Sequence, residues 1–284
     1  MNLLLNILIV AMITSIACSL PGVFLVLRGT TMVSDAVTHT VLLGIVIAFF
    51  IVQDLSSPFL LIGATVVGLI TVWLIEALNR TKLLSLDASI GVVFPFLFSI
   101  AIILINLYAS HVHLDIDVVL TGEIGFTPFH RLVLLGQDLG PQAFWKMLII
   151  AGIDLGIITL FYKELKVTSF DPEYAQTIGI NPTVFHYLLM SMVSLTAVAA
   201  FEVAGSVLVV GFMVGPALAG YLLFNDLKRI LLSSAVISVI NSIIGVYLAY
   251  QLDTTFNGMI AVVTGLTTLL IILFSPRKGI LTSN

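Results

Sequence analysis

Apolar positions along this chain fall in long blocks, and polar positions only punctuate them. The blocks cover about 3–27, 32–52, 57–78, 89–108, 144–163, 183–201, 203–224, 230–250 and 256–275. Each is about twenty residues long, the length an α-helix needs to cross the ~30 Å hydrocarbon core of a bilayer. Strands of a membrane barrel would be about ten residues long and would alternate in polarity. The pattern therefore predicts an all-α polytopic membrane protein: one transmembrane domain over 1–284 with about nine helices. The tight pair meeting at Glu202 and the polar start of 32–52 set a range of eight to ten. Helix breakers fall inside three blocks, at Pro21-Gly22, Pro95 and Gly215-Pro216. Such kinks survive in lipid where neighbouring helices satisfy the freed backbone groups. The small residues of VAGSVLVVGFMVGPALAG permit close helix approach.

Two connections are long. The segment about 109–143 carries His111, His113, Asp115 and Asp117 in HVHLDID. Those residues read as a solvated face, as a cation-attracting mouth, or as a docking surface for an external partner. The segment about 164–182 carries a short-helix signature. Asp171 suits the N-cap, Pro172 the first helical position, Glu173 the positive helix end and Gly179 the position after the C-cap. Exposed between spans, such a helix reads as a loop ornament or as a handle for a partner subunit.

Charge supplies the orientation. With the N-terminus outside, nine of the eleven basic residues fall in cytoplasmic segments, and only Arg131 and Lys146 fall outside. Basic residues favour the cytoplasmic side, so nine spans with N outside and C inside are expected. Losing or gaining a span before residue 163 would move only the N-terminus. No basic residue precedes Arg28, so 3–27 reads as a retained span and not a cleaved signal.

Composition then narrows the chemistry. Sixty per cent of residues are hydrophobic and 9% charged, with mean hydropathy +1.20; a soluble domain carries about 25% charged residues. The single Cys18 leaves no disulfide framework and no thiolate cluster. There is no HExxH, GxSxG or GxxxxGK[ST] pattern, and no basic patch of the size nucleic acid requires. Passage of a solute across the membrane is what remains.

The ionisable residues within the spans suggest the solute. Asp35 and His39 stand four apart in RGTTMVSDAVTHTVLLG, on one face of a helix. An unpaired charge at mid-bilayer costs about 3 kcal/mol or more, and a divalent cation between the two would lower that cost. Two copies in a symmetric dimer would supply four ligands. Carboxylate and imidazole without thiolate suit Mn²⁺ and Fe²⁺, and Zn²⁺ tolerably. The alternative is a plain helix start, with Asp35 at the positive end and His39 bonded locally. Asp154 reads as a protonated carboxyl bonded to a neighbouring helix, or as part of a pathway. Glu202 reads as a water-facing or capping residue, or as a gate. Glu76 and His186 lie near span ends.

Several runs together resemble a known family. FLVLRGTTMVSDAVTHTVLLGIVIAFF, LDASIGVVFPFLFSIAIILIN, LDIDVVLTGEI, SFDPEYAQTIGI, FEVAGSVLVVGFMVGPALAGYLL and GMIAVVTGLTTLLIILFSPRKG occur in order over nearly the whole chain. They resemble the permeases of bacterial ABC-type importers of manganese, zinc or iron, the ABC-3 family. The resemblance implies a type II ABC importer-like transmembrane domain in the bacterial cell membrane, with no enzyme activity and no prosthetic group of its own. It implies a homodimeric pore, two cytoplasmic ATPase subunits and an external solute-binding protein that delivers the metal, manganese being favoured. It places the metal on Asp35 and His39. It places coupling to the ATPase on Ser169–Ile180, which holds Ser169, Phe170, Asp171, Pro172, Glu173, Ala175 and Gly179. Two positions depart from the family pattern: Ser34 stands where glycine is usual and Leu43 where proline is usual. Neither is a ligand. The rival readings are a stand-alone carrier driven by an ion gradient and a receptor or scaffold without transport.

Overall fold

Eight helices among the described residues are long and apolar enough to cross a membrane, in a computed structural model that describes residues 3–54, 57, 59–108, 122–134 and 137–275. They are α1 (Leu3–Arg28), α2 (Met32–Val52), α3 (Phe59–Arg80), α4 (Leu86–Tyr108), α5 (Gln142–Leu160), α8 (Pro182–Leu223), α9 (Leu227–Leu252) and α10 (Phe256–Phe274). Two short helices, α6 (Tyr162–Phe170) and α7 (Pro172–Thr177), join α5 to α8.

Helix α8 reconciles eight helices with nine apolar blocks. Its 42 residues would extend about 63 Å if straight, twice the hydrocarbon thickness. It is broken at Gly205, with φ 69° and ψ 166°, a conformation essentially confined to glycine. Before the break, Tyr187 bonds Glu76 and Ser194 bonds the Thr65 carbonyl, so that half runs antiparallel to α3. From Ala204 at the break, held by Asn257, to Leu222, held by Ser275, the second half runs alongside α10. Each half is one crossing, and about nine crossings result, as the hydropathy blocks predict.

The break falls at Gly205, three residues beyond the Glu202 junction that the apolar blocks mark. Pro216 sits inside a continuous helix, and α1 and α4 likewise run through Pro21 and Pro95. Asn257 takes up the Ala204 carbonyl beside the break and ties it to the connection that precedes α5. Its Nδ2 donates to Ala204 O at 3.0 Å and Gly122 O at 2.6 Å, and its Oδ1 accepts from Ile124 N at 3.1 Å. A buried backbone group left unsatisfied costs about 1–3 kcal/mol, and this one side chain relieves that cost at Ala204 O, Gly122 O and Ile124 N.

The long 109–143 connection departs from pure helix. Its HVHLDID run lies outside the described residues. The part that follows holds a 3-10 turn (Ile124–Phe129) and a two-stranded antiparallel hairpin, β1 (Arg131–Leu134) with β2 (Gln137–Pro141). Arg131 Nε reaches Asp138 Oδ2 at 2.8 Å across it. The backbone N–H of Gly140, and then Arg131, hold the Asp138 carboxyl below its ordinary range. The fifth span begins at Gln142 and ends at Leu160, short of the expected 163, and the polar residues beyond it continue as α6.

Helix α1 is the central post, packed against α8, α9 and α5, while α2 packs on α3, α4 and α8. Lipid tails are as apolar as leucine, so close backbone approach and interhelical hydrogen bonds hold the bundle. Gly44 is required for this: a Cβ there would lie 2.4 Å from Ala64 Cα on α3. Just below it, Thr71 donates to Thr40 at 2.9 Å in a buried bond, an interaction worth about 0.6 kcal/mol between membrane helices.

Candidate functional site

A three-residue turn joins α1 to α2. Gly29 takes φ 66°, and the Thr30 amide bonds back to Leu25 O at 3.0 Å. Ser34, buried, donates its hydroxyl to Thr31 O at 2.7 Å and so braces the first turn of α2. Leu43 is buried in the same uninterrupted helix. The two departures from the family pattern therefore leave α2 regular.

Asp35 and His39 come together on one face of α2, as their spacing predicts. His39 Nε2 lies 3.5 Å from Asp35 Oδ1, with side chains 28% and 44% exposed. At 1.5 Å rise per residue, Asp35 lies roughly 5 Å and His39 roughly 11 Å from the start of a helix about 31 Å long. The pair therefore occupies the first third of the span. Two rings of α4 hold the imidazole: Phe94 at 5.0 Å and Phe98 edge-on at 6.2 Å between centroids. Two ligands each about 2.1 Å from an ion and about 109° apart are separated by about 3.4 Å, so this pair has the bite of two cis ligands. Among the described residues no cluster of three or more His, Cys, Asp or Glu side chains forms. One chain brings two such side chains together here.

The other intramembrane acids do not join this pair. Asp154 is fully buried on α5 and accepts from Thr196 Oγ1 of α8 at 2.6 Å. This bond ties α5 to α8. Glu202, 68% exposed, pairs with Lys146 beside the Gly205 break.

The 164–182 segment folds as its sequence predicts. Asp171 Oδ1 accepts from the Tyr174 amide at 2.9 Å, Pro172 occupies the first turn, and Gly179 has φ 83°. Ala175 is buried, whereas Phe170, Asp171, Glu173, Tyr174 and Ile178 project outward. Ser169 does not project: it accepts a bond from Arg28 Nε at 3.0 Å.

Sequence reading missed two arrangements. Asn257 gave no signal beyond one polar residue at a span start. Arg28, His186 and Glu76 each stood near a span end, but nothing local indicated that they meet.

The ABC 3 transport family matches residues 1–275. The chain is 41% identical over 270 residues to the manganese transport system membrane protein MntD of Bacillus subtilis (strain 168), covering 95% of this chain and 91% of that one. It is 39% identical over 276 residues to the zinc transport system membrane protein TroD of Treponema pallidum (strain Nichols), covering 97% and 75%. Among solved structures, PsaBC from Streptococcus pneumoniae in complex with Fab superposes with a TM-score of 0.80 and 26% identity, over 98% of this chain and 94% of that one. By this family match, these relatives and this fold the chain is a membrane permease subunit of an ABC transporter, a transport component and not itself an enzyme. The chain belongs to the ABC 3 transport family.

Proposed function

We propose that this permease carries a divalent transition metal, manganese in the first place, into a bacterial cell, with Asp35 and His39 as its ligands in the membrane. The observation that carries this reading is the pair itself: a carboxylate and an imidazole 3.5 Å apart on α2, braced by Phe94 and Phe98. Two ligands are too few to hold an ion, and a second copy of the chain across a two-fold axis completes four. Ligation by oxygen and nitrogen without sulfur favours manganese and iron over softer-site metals. The manganese system of Bacillus subtilis and the zinc system of Treponema pallidum are both close in sequence, so zinc is the second candidate.

The metal arrives on an external solute-binding protein, and ATP is hydrolysed on two partner subunits in the cytoplasm. Arg28 and Arg80 close α1 and α3, and Lys228 and Arg229 open α9, at the bundle end that carries α6, with its own Lys166, and α7. By the positive-inside rule that end is cytoplasmic and the N-terminus is outside. The outward residues of Ser169–Gly179, Phe170, Asp171, Glu173 and Tyr174 among them, form the ATPase docking ridge. Closure of the ATPase pair then opens the cavity alternately to the two sides.

Uptake of radioactive manganese in cells lacking this chain and complemented with variants tests the site. Asp35→Ala and His39→Ala should each reduce uptake at least tenfold at normal membrane level. Normal uptake in both removes the site. Competition by zinc and iron ranks the metals. Metal flux through the chain reconstituted without ATPase subunits would establish the stand-alone carrier instead.

A further inference from the structure

A chain of polar side chains joins four elements at the end of the bundle that carries α6 and α7. Arg28, the last residue of α1, is half-buried there. Its Nε donates to Ser169 Oγ at 3.0 Å and its Nη2 to Thr168 Oγ1 at 3.1 Å. Both acceptors lie on the last turn of α6, directly before the capping Asp171. Its Nη1 lies 3.3 Å from His186 Nδ1 on α8. A guanidinium only donates, so Nδ1 is the acceptor and the ring proton sits on Nε2. That nitrogen lies against Glu76 Oε1 of α3. Glu76 Oε2 also accepts from Tyr187 at 2.8 Å and lies 3.6 Å from Arg80.

Three acceptors on two elements meet one planar fork. This is a task for arginine; the single ammonium of lysine cannot hold three such partners in fixed directions. Arg28 also stands only three residues before α2, across a turn pinned by the Thr30–Leu25 bond. Movement of α6 therefore reaches Arg28 through two hydroxyls, and the first turn of α2 through a short, hydrogen-bonded connection. The same guanidinium reaches α8 through His186 and α3 through Glu76, and both of these helices pack against α2.

We propose that Arg28, with His186 and Glu76, is a positioning link that carries movement of the ATPase-docking segment to the helix bearing Asp35 and His39. The link rests on the permease reading above and adds to it the path by which the two distant sites communicate. Allosteric coupling needs an element with two arrangements that both sites bias; here that element is the α1–α2 turn with its bonded neighbours.

The test uses the permease with its ATPase subunits in proteoliposomes, driven by manganese-loaded solute-binding protein. The double variant Thr168→Val with Ser169→Ala removes both hydroxyls and keeps the side-chain volumes nearly constant. Arg28→Lys removes the fork and keeps the charge. Both should lower manganese moved per ATP hydrolysed at least tenfold while ATP hydrolysis continues. The hydroxyl-retaining pair Thr168→Ser with Ser169→Thr should restore the wild-type ratio. Spin labels at Lys163→Cys, exposed on α6 and outside the docking ridge, and at Met32→Cys, each measured against a label at Leu139→Cys, report the movement directly. Nucleotide should shift both distances in the otherwise unaltered protein, and only the Lys163 distance in the Thr168→Val, Ser169→Ala variant. A wild-type transport ratio in that variant and in Arg28→Lys, or a Met32 shift that survives the loss of both hydroxyls, overturns the link. Failure of the unaltered complex to move manganese overturns the permease reading beneath it, and the link with it.

Discussion

Gly205 is the residue on which the nine-crossing architecture turns, and its replacement by alanine has a calculable cost. Its φ of 69° with ψ 166° lies in a region that residues with a Cβ occupy at a cost of about 1–3 kcal/mol. Gly211, six residues on in the same helix, has ordinary helical backbone and no atom within 4 Å of a Cβ built there. Alanine at that position should stabilise by about 0.5–1 kcal/mol. The two substitutions have identical chemistry and lie in one element, yet they should differ in sign. For a chain of this size about 2–4 °C accompanies each kcal/mol. Gly205→Ala should therefore melt roughly 2–12 °C below the wild type in detergent, and Gly211→Ala at or slightly above it. Tryptophan fluorescence during a thermal ramp reads both. Asn257→Ala should reproduce part of the Gly205→Ala loss, because it strands Ala204 O and Gly122 O, at about 1–3 kcal/mol for unsatisfied groups. The two losses should not add, since both act on one turn. Equal melting of Gly205→Ala and Gly211→Ala would refute the reasoning, because the backbone at 205 would then tolerate a side chain.

Three other outcomes follow from single contacts. Gly44→Val should push α2 from α3, since even a Cβ would lie 2.4 Å from Ala64 Cα; lower yield of monodisperse protein and a melting point several degrees lower are expected, and an unchanged melting curve would contradict that contact. Asp171→Ala removes the cap on the Tyr174 amide, a loss of about 1 kcal/mol, and amide exchange at Tyr174 should accelerate about fivefold while the spans exchange as before. Asp154→Asn keeps a partner for Thr196 and should transport manganese within about twofold of wild type; interhelical bonds of this kind average only about 0.6 kcal/mol, so a tenfold loss of uptake would instead place Asp154 on the metal path.

Much of this protein is written in one dimension. Helix number and length follow from apolar blocks matched to bilayer thickness, because a chain in lipid must satisfy its backbone within each span. The spacing of Asp35 and His39 places them on one face by helical geometry alone. Asp171, Pro172 and Gly179 fix α7 because caps act on amides a few residues away. Contacts across the bundle were beyond such reading. Pro21, Pro95 and Pro216 are helix breakers by residue type yet sit in continuous helices, whereas the junction that the apolar blocks mark at Glu202 falls at Gly205, where Asn257 of another helix bonds the Ala204 carbonyl. Arg28 and His186 meet across 158 residues of sequence, and Asp154 meets Thr196 across 42. Local periodicity carries information about the next turn of the same helix. Which polar side chains pair across the bundle is decided by helix packing, and in lipid that packing depends on small residues and backbone approach that apolar blocks do not encode.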